Sequence, residues 1–245
     1  ALAYPLATPF RTAMTMGMFS LVVFAVVVLS GYSAMFGNYL GDIGENAKGE
    51  WEIVAFGEAG LDENRSQWDL GELDPMPFDA VAVIETAVVK TCKSNEVDPE
   101  NKSQYTTIRG FDVNFTNHGG LPLHSWSPAL GETPESVWQR VLENDTLAVI
   151  DYQLAQDGWQ GERGIMHEGM GYNIGDAIGV KDPFNPDINH THYVATVLEE
   201  ESGWFAHGIN VNKEFTREKF DSEPDSIWFS LPDGTSIEEE ERIAK

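Results

Sequence analysis

His190 and His192 stand two positions apart and would share a face if they open a strand, and His167, Glu168 or Asp187 could complete a metal site with them. The chemistry would be hydrolysis at the metal, the reading of an anchored metallohydrolase. Against it, six histidines give many accidental pairs and no His-Glu-x-x-His helix is present. The pair reads as polar residues of a Pro- and Asn-rich loop, and no metal ligand or catalytic residue is assigned. No Gly-x-Ser-x-Gly elbow serves serine catalysis, and no Gly-rich phosphate loop ends in Gly-Lys-Ser/Thr. No cofactor is expected in this chain, so ATP, if involved, is bound by another. Cys92 is the single cysteine, which rules out an intrachain disulfide and a cysteine-based zinc site.

A second set of reactive side chains is the five Asn-x-Ser/Thr sequons at Asn64, Asn101, Asn114, Asn144 and Asn189. Thirteen asparagines with Ser or Thr two places on would give roughly one or two by chance. The excess fits an exported surface, although polar loops are rich in these residues anyway. All five are candidate glycan acceptors.

These side chains belong to a strongly acidic chain. Its 245 residues carry 15 Lys and Arg against 40 Asp and Glu, a net charge of −25. Such a surface repels phosphate backbones, so no nucleic-acid partner is expected. With 42% hydrophobic residues and seven tryptophans, the acid coats a packed fold rather than a disordered coil.

No charge occurs between Arg11 and Asp42, and Met18–Leu29 is almost wholly apolar. Nine Leu, Val or Phe residues in that stretch, at about −0.3 to −0.6 kcal/mol each, favour insertion by roughly 3 to 5 kcal/mol. A helix over 14–36 would be about 35 Å long, enough to cross a hydrocarbon core of roughly 30 Å. A buried soluble helix and a signal peptide cut near Ser33-Ala34 fit less well, because the uncharged run continues through Tyr32, Met35 and Phe36. Arg11 is the topology determinant: it precedes the span while Asp42 and Glu45 follow, so residues 1–13 form a cytoplasmic flank. Residues 37–235 then form an extracytoplasmic domain, and 236–245 begin a further, truncated helix. Beyond Arg11 the chain holds 14 basic and 40 acidic residues, a charge of −26. The pairs Ala13/Gly17, Ser30/Ala34 and Gly37/Gly41 would let a neighbouring helix approach closely.

The external part reads as α+β. Tyr32 to Asn46 could continue the span as a stalk weakened by Gly37, Gly41 and Gly44. Strands are expected at 51–56, at 78–90 with a short helix ahead of it, at 105–113 with a break at Gly110, and at 147–150, 172–180, 192–198 and 227–231. Long loops are expected over 57–77 and 94–103. Helices are expected at 133–142, where Thr133 caps and Pro134 opens the first turn, at 215–220, and as a turn at 152–156 ended by Gly158.

The stretch Tyr4-Pro-Leu-Ala-Thr-Pro-Phe-Arg-Thr-Ala-Met-Thr-Met-Gly-Met-Phe-Ser-Leu-Val-Val-Phe24 resembles the juncture in FtsX-like, MacB-type ABC transporter permeases, where a short basic stretch with Arg-Thr leads into a core membrane helix. Trp51-Glu-Ile-Val-Ala55 is similar to their first external strand, and Ile108-Arg-Gly-Phe-Asp112 to a strand end of Gly-hydrophobic-Asp type. Val149–Ala155, Asn173–Val180 and Tyr193–Val197 are similar to the run into the β-rich part of their extracytoplasmic domain. The usual basic residues near Ala7 and Thr8 are missing, and 57–77 looks like an enlarged loop. The resemblance implies a MacB-like periplasmic core fold, a cell-membrane location that is multi-pass in the full protein, and a permease rather than an enzyme. It also implies a separate ABC ATPase, a second or related permease copy and an external partner, with further helices beyond Lys245. The competing expectation is a single-span surface protein with a ligand- or glycan-binding external domain.

Overall fold

The computed structural model describes residues 9–57, 78–92, 104–155, 171–185 and 187–243. The expected loop at 57–77, apart from Gly57, the expected loop at 94–103, Gln156 and Gly158 lie outside them. The chain divides into two compact units, Ala1–Glu45 and Asn46–Lys245. The first is carried by α1 (Pro9–Ala47), 39 residues of uninterrupted helix. The glycines at 37, 41 and 44 do not break its backbone, as the expected weak stalk would have allowed.

The second unit is a mixed sheet with helices on it, the α+β class expected. Its strands are β1 (Ile53–Phe56), β2 (Ala80–Cys92), β3 (Gln104–Phe111), β4 (Leu123–Trp126), β5 (Leu147–Ile150), β6 (Ala177–Lys181), β7 (Asn189–Leu198), β8 (Ile209–Asn212) and β9 (Glu223–Ser230). Its helices are α2 (Val113–Asn117), α3 (Pro134–Glu143), α4 (Lys213–Phe220) and α5 (Ile237–Ile243). The hydrogen-bonded order runs β1-β9-β2-β3-β8-β5-β7-β4, and β6 pairs with both β7 and β2. Because β6 joins β7 back to β2, the strands β2, β3, β8, β5, β7 and β6 close a ring, with β1 and β9 as a flap on β2 and β4 on β7.

Alternation along the strands fills two cores, as period-2 side chains must. Ile108, Ala148, Ile150, Ile178, Val180, Val194, Ile209 and Val211 make one, joined by Phe215 and Phe220 of α4. Val149, Ala195 and Leu198 turn the other way, to a second core with Val137, Trp138 and Val141 of α3. That core is aromatic: Trp51, Phe111, Phe115, Trp138 and Trp228 form a chain of ring contacts. The Trp138 indole donates to the Leu121 carbonyl at 2.9 Å. Gly120, at φ +65°, permits this, since a Cβ there would lie 2.6 Å from Trp138 Nε1.

The α3 start obeys its sequence: Thr133 accepts from the Ser136 N–H at 3.4 Å, and Ser136 Oγ accepts from the Thr133 N–H at 3.2 Å. Elsewhere the expectations move. No break occurs at Gly110. The strand runs through it, because a Cβ at that point would meet Thr216 Oγ1 at 2.2 Å and Lys213 Cα at 2.7 Å, so the missing side chain is what lets α4 lie on β3. The strand expected at 172–180 shrinks to β6, preceded by a lone bridge of Tyr172 to Ala155. The short helix expected ahead of residue 78 falls outside the described residues, and the strand begins at Ala80. The elements β4, β8 and α2 have no counterpart among the expectations; α2 starts where Asp112 accepts from the Phe115 N–H at 3.0 Å.

Candidate functional site

In the first unit, Ala13–Ser33 has a mean hydropathy of 2.3 with none of it buried. One helix is therefore long and apolar enough to cross a membrane, in the place the charge gap indicated. Arg11 lies in its first turns, before the apolar window.

In the second unit, the segment that leads into β1 and the segment that follows β9 meet at one edge. Ile53 of β1 faces Phe229 near the end of β9, and the Glu52 N–H donates to the Phe229 carbonyl at 3.2 Å. The Glu52 carboxylate then accepts from the Leu231 N–H at 2.9 Å, while Lys48 Nζ donates to the Glu52 carbonyl at 2.5 Å. Trp51 anchors this corner: it is buried, stacked on Phe115 at 5.6 Å and edge-on to Trp228 at 6.2 Å and His118 at 4.7 Å. His118 Nε2 reaches the Glu50 carbonyl at 3.1 Å. After Leu231 the chain turns at Pro232–Thr235 and enters α5, where Ser236 Oγ accepts from the Glu239 N–H at 3.3 Å. The first-turn acids Glu238, Glu239 and Glu240 suit the positive end of that helix. This corner clamps two strand ends together.

His190 and His192 do share a face of β7, and that face looks into the ring core. His192 is fully buried, edge-on to Phe215 at 4.8 Å, with His190 5.1 Å from the same ring. Burial above all, and then the charge of His190, hold the His192 pKa down at about 4, against the pull of the Asp145 backbone. Burial also lowers His190, helped by Lys219. Asp187 is exposed, and His167 and Glu168 lie outside the described residues. Among the described residues no three of His, Cys, Asp and Glu gather as a metal-binding group.

Two polar clusters escaped the sequence reading. The fully buried Asp151 accepts from the His207 ring, from the Gly208 N–H at 3.0 Å and from the Leu154 N–H at 2.9 Å. The hydrogen bond to His207 raises the pKa of that ring above its ordinary value, against burial and the charge of Arg109. Arg109 itself donates to the His207 carbonyl at 3.1 Å and pairs with Asp225 at 3.1 Å, joining β3, the segment ahead of β8, and β9. The buried Glu85 pairs with Arg217 of α4 and accepts from the Ser222 hydroxyl at 2.8 Å. Partners so distant in sequence leave no local spacing to read.

Of the sequons, Asn114, Asn144 and Asn189 are exposed, and Asn64 and Asn101 lie outside the described residues.

No protein-family model and no curated protein matches this chain. Among solved structures it is similar to the extracellular domain of the noncanonic ABC-type transporter YknZ from Gram-positive bacteria, at 11% identity and a TM-score of 0.43, over 78% of this chain and 87% of that one. It is also similar to the periplasmic region of MacB from Actinobacillus actinomycetemcomitans, at 14% identity and a TM-score of 0.42, over 77% of this chain and 78% of that one. A third is a domain of a putative permease protein from Porphyromonas gingivalis, at 12% identity and a TM-score of 0.34, over 66% of this chain and 77% of that one. The first of these is named as part of a transporter and the third as part of a permease.

Proposed function

We propose that the chain is a membrane helix and the extracytoplasmic domain of a permease subunit of an ABC transporter, working in export, lipoprotein release or mechanotransmission. The observation that carries this is the meeting, at Glu52 and Leu231, of the segments that lead into β1 and out of β9. A domain entered and left at one edge can be inserted between two successive membrane helices without rearranging its fold. The apolar window of α1 supplies one of those helices.

The chain's own contribution is mechanical. From Ser33 to Ala47 the helix continues for about 20 Å at about 1.5 Å per residue, which suits it to carry displacement from the membrane. The driving difference in free energy comes from contacts made elsewhere, by a separate ABC ATPase at the cytoplasmic face that favours one of two arrangements of the membrane helices. A second or related permease copy completes the membrane part, and an external protein receives the motion.

The full-length protein purified from its own membranes should bring an ABC ATPase with it, and ATP turnover should depend on both. Leu40→Gly, beside Gly41, should weaken the helix by about 1 kcal/mol and uncouple ATP turnover from transport while leaving expression intact. Full-length protein that purifies free of any ATPase sinks the proposal, as does purified domain hydrolysing peptides or esters with a dependence on His190 or His192.

A further inference from the structure

Among the described sequons, Asn144-Asp145-Thr146 is set apart by its surroundings. It forms the turn between α3 and β5, and all three of its residues are exposed. Asn114-Phe115-Thr116 lies inside α2 with Phe115 in the aromatic core and Thr116 buried, its hydroxyl turned back to the Val113 carbonyl at 3.1 Å. Asn189 opens β7 and is paired across the sheet with Lys181, and the two residues after it are half-buried. An enzyme acting on the folded domain would have to disrupt the core to take Asn114, and a strand pairing to take Asn189.

At Asn144 the backbone is already looped outward. The Leu147 N–H donates to the Asn144 carbonyl at 2.9 Å, closing a β-turn. The side chain is set within that turn: Asn144 Oδ1 accepts from the Thr146 N–H at 3.0 Å and from the Thr146 hydroxyl at 2.7 Å. The hydroxyl that defines the sequon is thus spent on the acceptor amide itself. Both bonds use the oxygen, and the amide nitrogen Nδ2 has no protein partner among the described residues. The tip is fixed at its base, where the Thr146 carbonyl accepts from the Tyr193 N–H at 2.7 Å.

We propose that Asn144 is an N-glycosylation site of the folded domain, the glycan donor being a sugar chain linked through phosphate or diphosphate to a membrane polyisoprenoid. In the step, Asn144 Nδ2 attacks the anomeric carbon of the donor sugar. A C–N bond forms, the bond from that carbon to the phosphate oxygen breaks with its electron pair leaving on the phosphate, and one Nδ2 proton passes to a base of the transferase. The donor hangs from the outer membrane face, so the inference rests on the extracytoplasmic placement proposed above. A bulky, solubilising cover at this turn would also shield part of a chain whose net charge is strongly negative.

Mass spectrometry of peptides from the full-length protein, purified from its native membranes, is the test. The peptide containing Asn144 should carry a glycan. Asn144→Gln and Thr146→Ala should each abolish that mass, and Thr146→Ser, which keeps a hydroxyl, should retain it. In the same preparation a cysteine introduced by Glu143→Cys, in a Cys92→Ala background, reports the side of the membrane by labelling. A bare Asn144 peptide with the introduced thiol labelled from outside overturns the glycosylation and leaves the topology standing. A bare peptide with labelling from the cytoplasm only overturns both. Glycan on Asn114 or Asn189 with none on Asn144 overturns the assignment to this turn.

Discussion

The Arg217 guanidinium, half exposed on α4, grips the buried carboxylate of Glu85 on β2, with its Nε 3.1 Å from Oε1. The pair sits where the β2–β9 register shifts between Ile84 and Glu85, so it fastens a helix to an irregular point of the sheet. Removing one partner of a buried pair costs more than the pair contributes, because a charge is left behind in a dry place. Arg217→Ala should therefore destabilise the protein by about 3 kcal/mol, read as a lower urea midpoint. Adding Glu85→Gln to that variant should recover part of the loss, and no recovery would mean that the damage is packing rather than stranded charge.

Gly110→Ala tests the close approach of α4 to β3. A methyl group at that position meets both the Thr216 hydroxyl and the Lys213 backbone. The expected cost is about 1 to 3 kcal/mol in denaturant melts. Thr216→Ala in the same chain should not relieve it, since the Lys213 backbone still stands 2.7 Å from the added methyl. Full relief would place the strain in the side chain alone.

His192 and His207 should give the stability two opposed pH limbs. His192 titrates at about 4 when folded and near 6.5 when unfolded. Its contribution is complete above pH 6.5 and is lost as the pH falls towards 4, by about 3 kcal/mol in all. His192→Leu should lack that acid limb. His207 is raised instead, so its contribution is present below pH 6.5 and lost as the pH climbs through its folded value. His207→Gln should be more damaging at pH 6 than at pH 9. Identical pH profiles for wild type and both variants would contradict this account.

Salt should stabilise the second unit, because its 14 basic and 38 acidic residues leave a charge of −24 that repels itself, and counterions screen it within roughly 8 Å at physiological ionic strength, more tightly in brine. The melting temperature is expected to rise from low to molar KCl. A steady fall over that range rules the idea out.

The local part of the architecture was legible. The uncharged run gives α1 away, Thr133-Pro134 marks the start of α3, and the β-branched run of β2 announces a strand. What was hidden depends on partners far away in the chain. Gly110 reads as a break in isolation, and only α4 lying against it explains why the strand continues. The four-residue strands β4 and β8 are too short to show a period and are held by neighbours distant in sequence. Asp151 and Glu85 resemble surface acids until the fold buries them opposite His207 and Arg217. His190 and His192 share a face as their spacing said, but spacing does not tell which side of a sheet is the inside.

The flap that carries the two ends lies outside the closed ring, and this makes the domain respond differently to two kinds of pull. If both tethers move together, the load runs along β1 and β9 and is shared by all their cross-strand bonds at once, so the ring follows as a solid body. If the two ends were drawn apart, the load would fall crosswise on the buried Trp51 and on the bond from Leu231 to Glu52, and then on each next pair in turn, as a zipper opens from its tab. Under the function proposed above, the flap would be stiffer towards shared motion than towards divergence, with Trp51 and Glu52 the first residues to bear a diverging load.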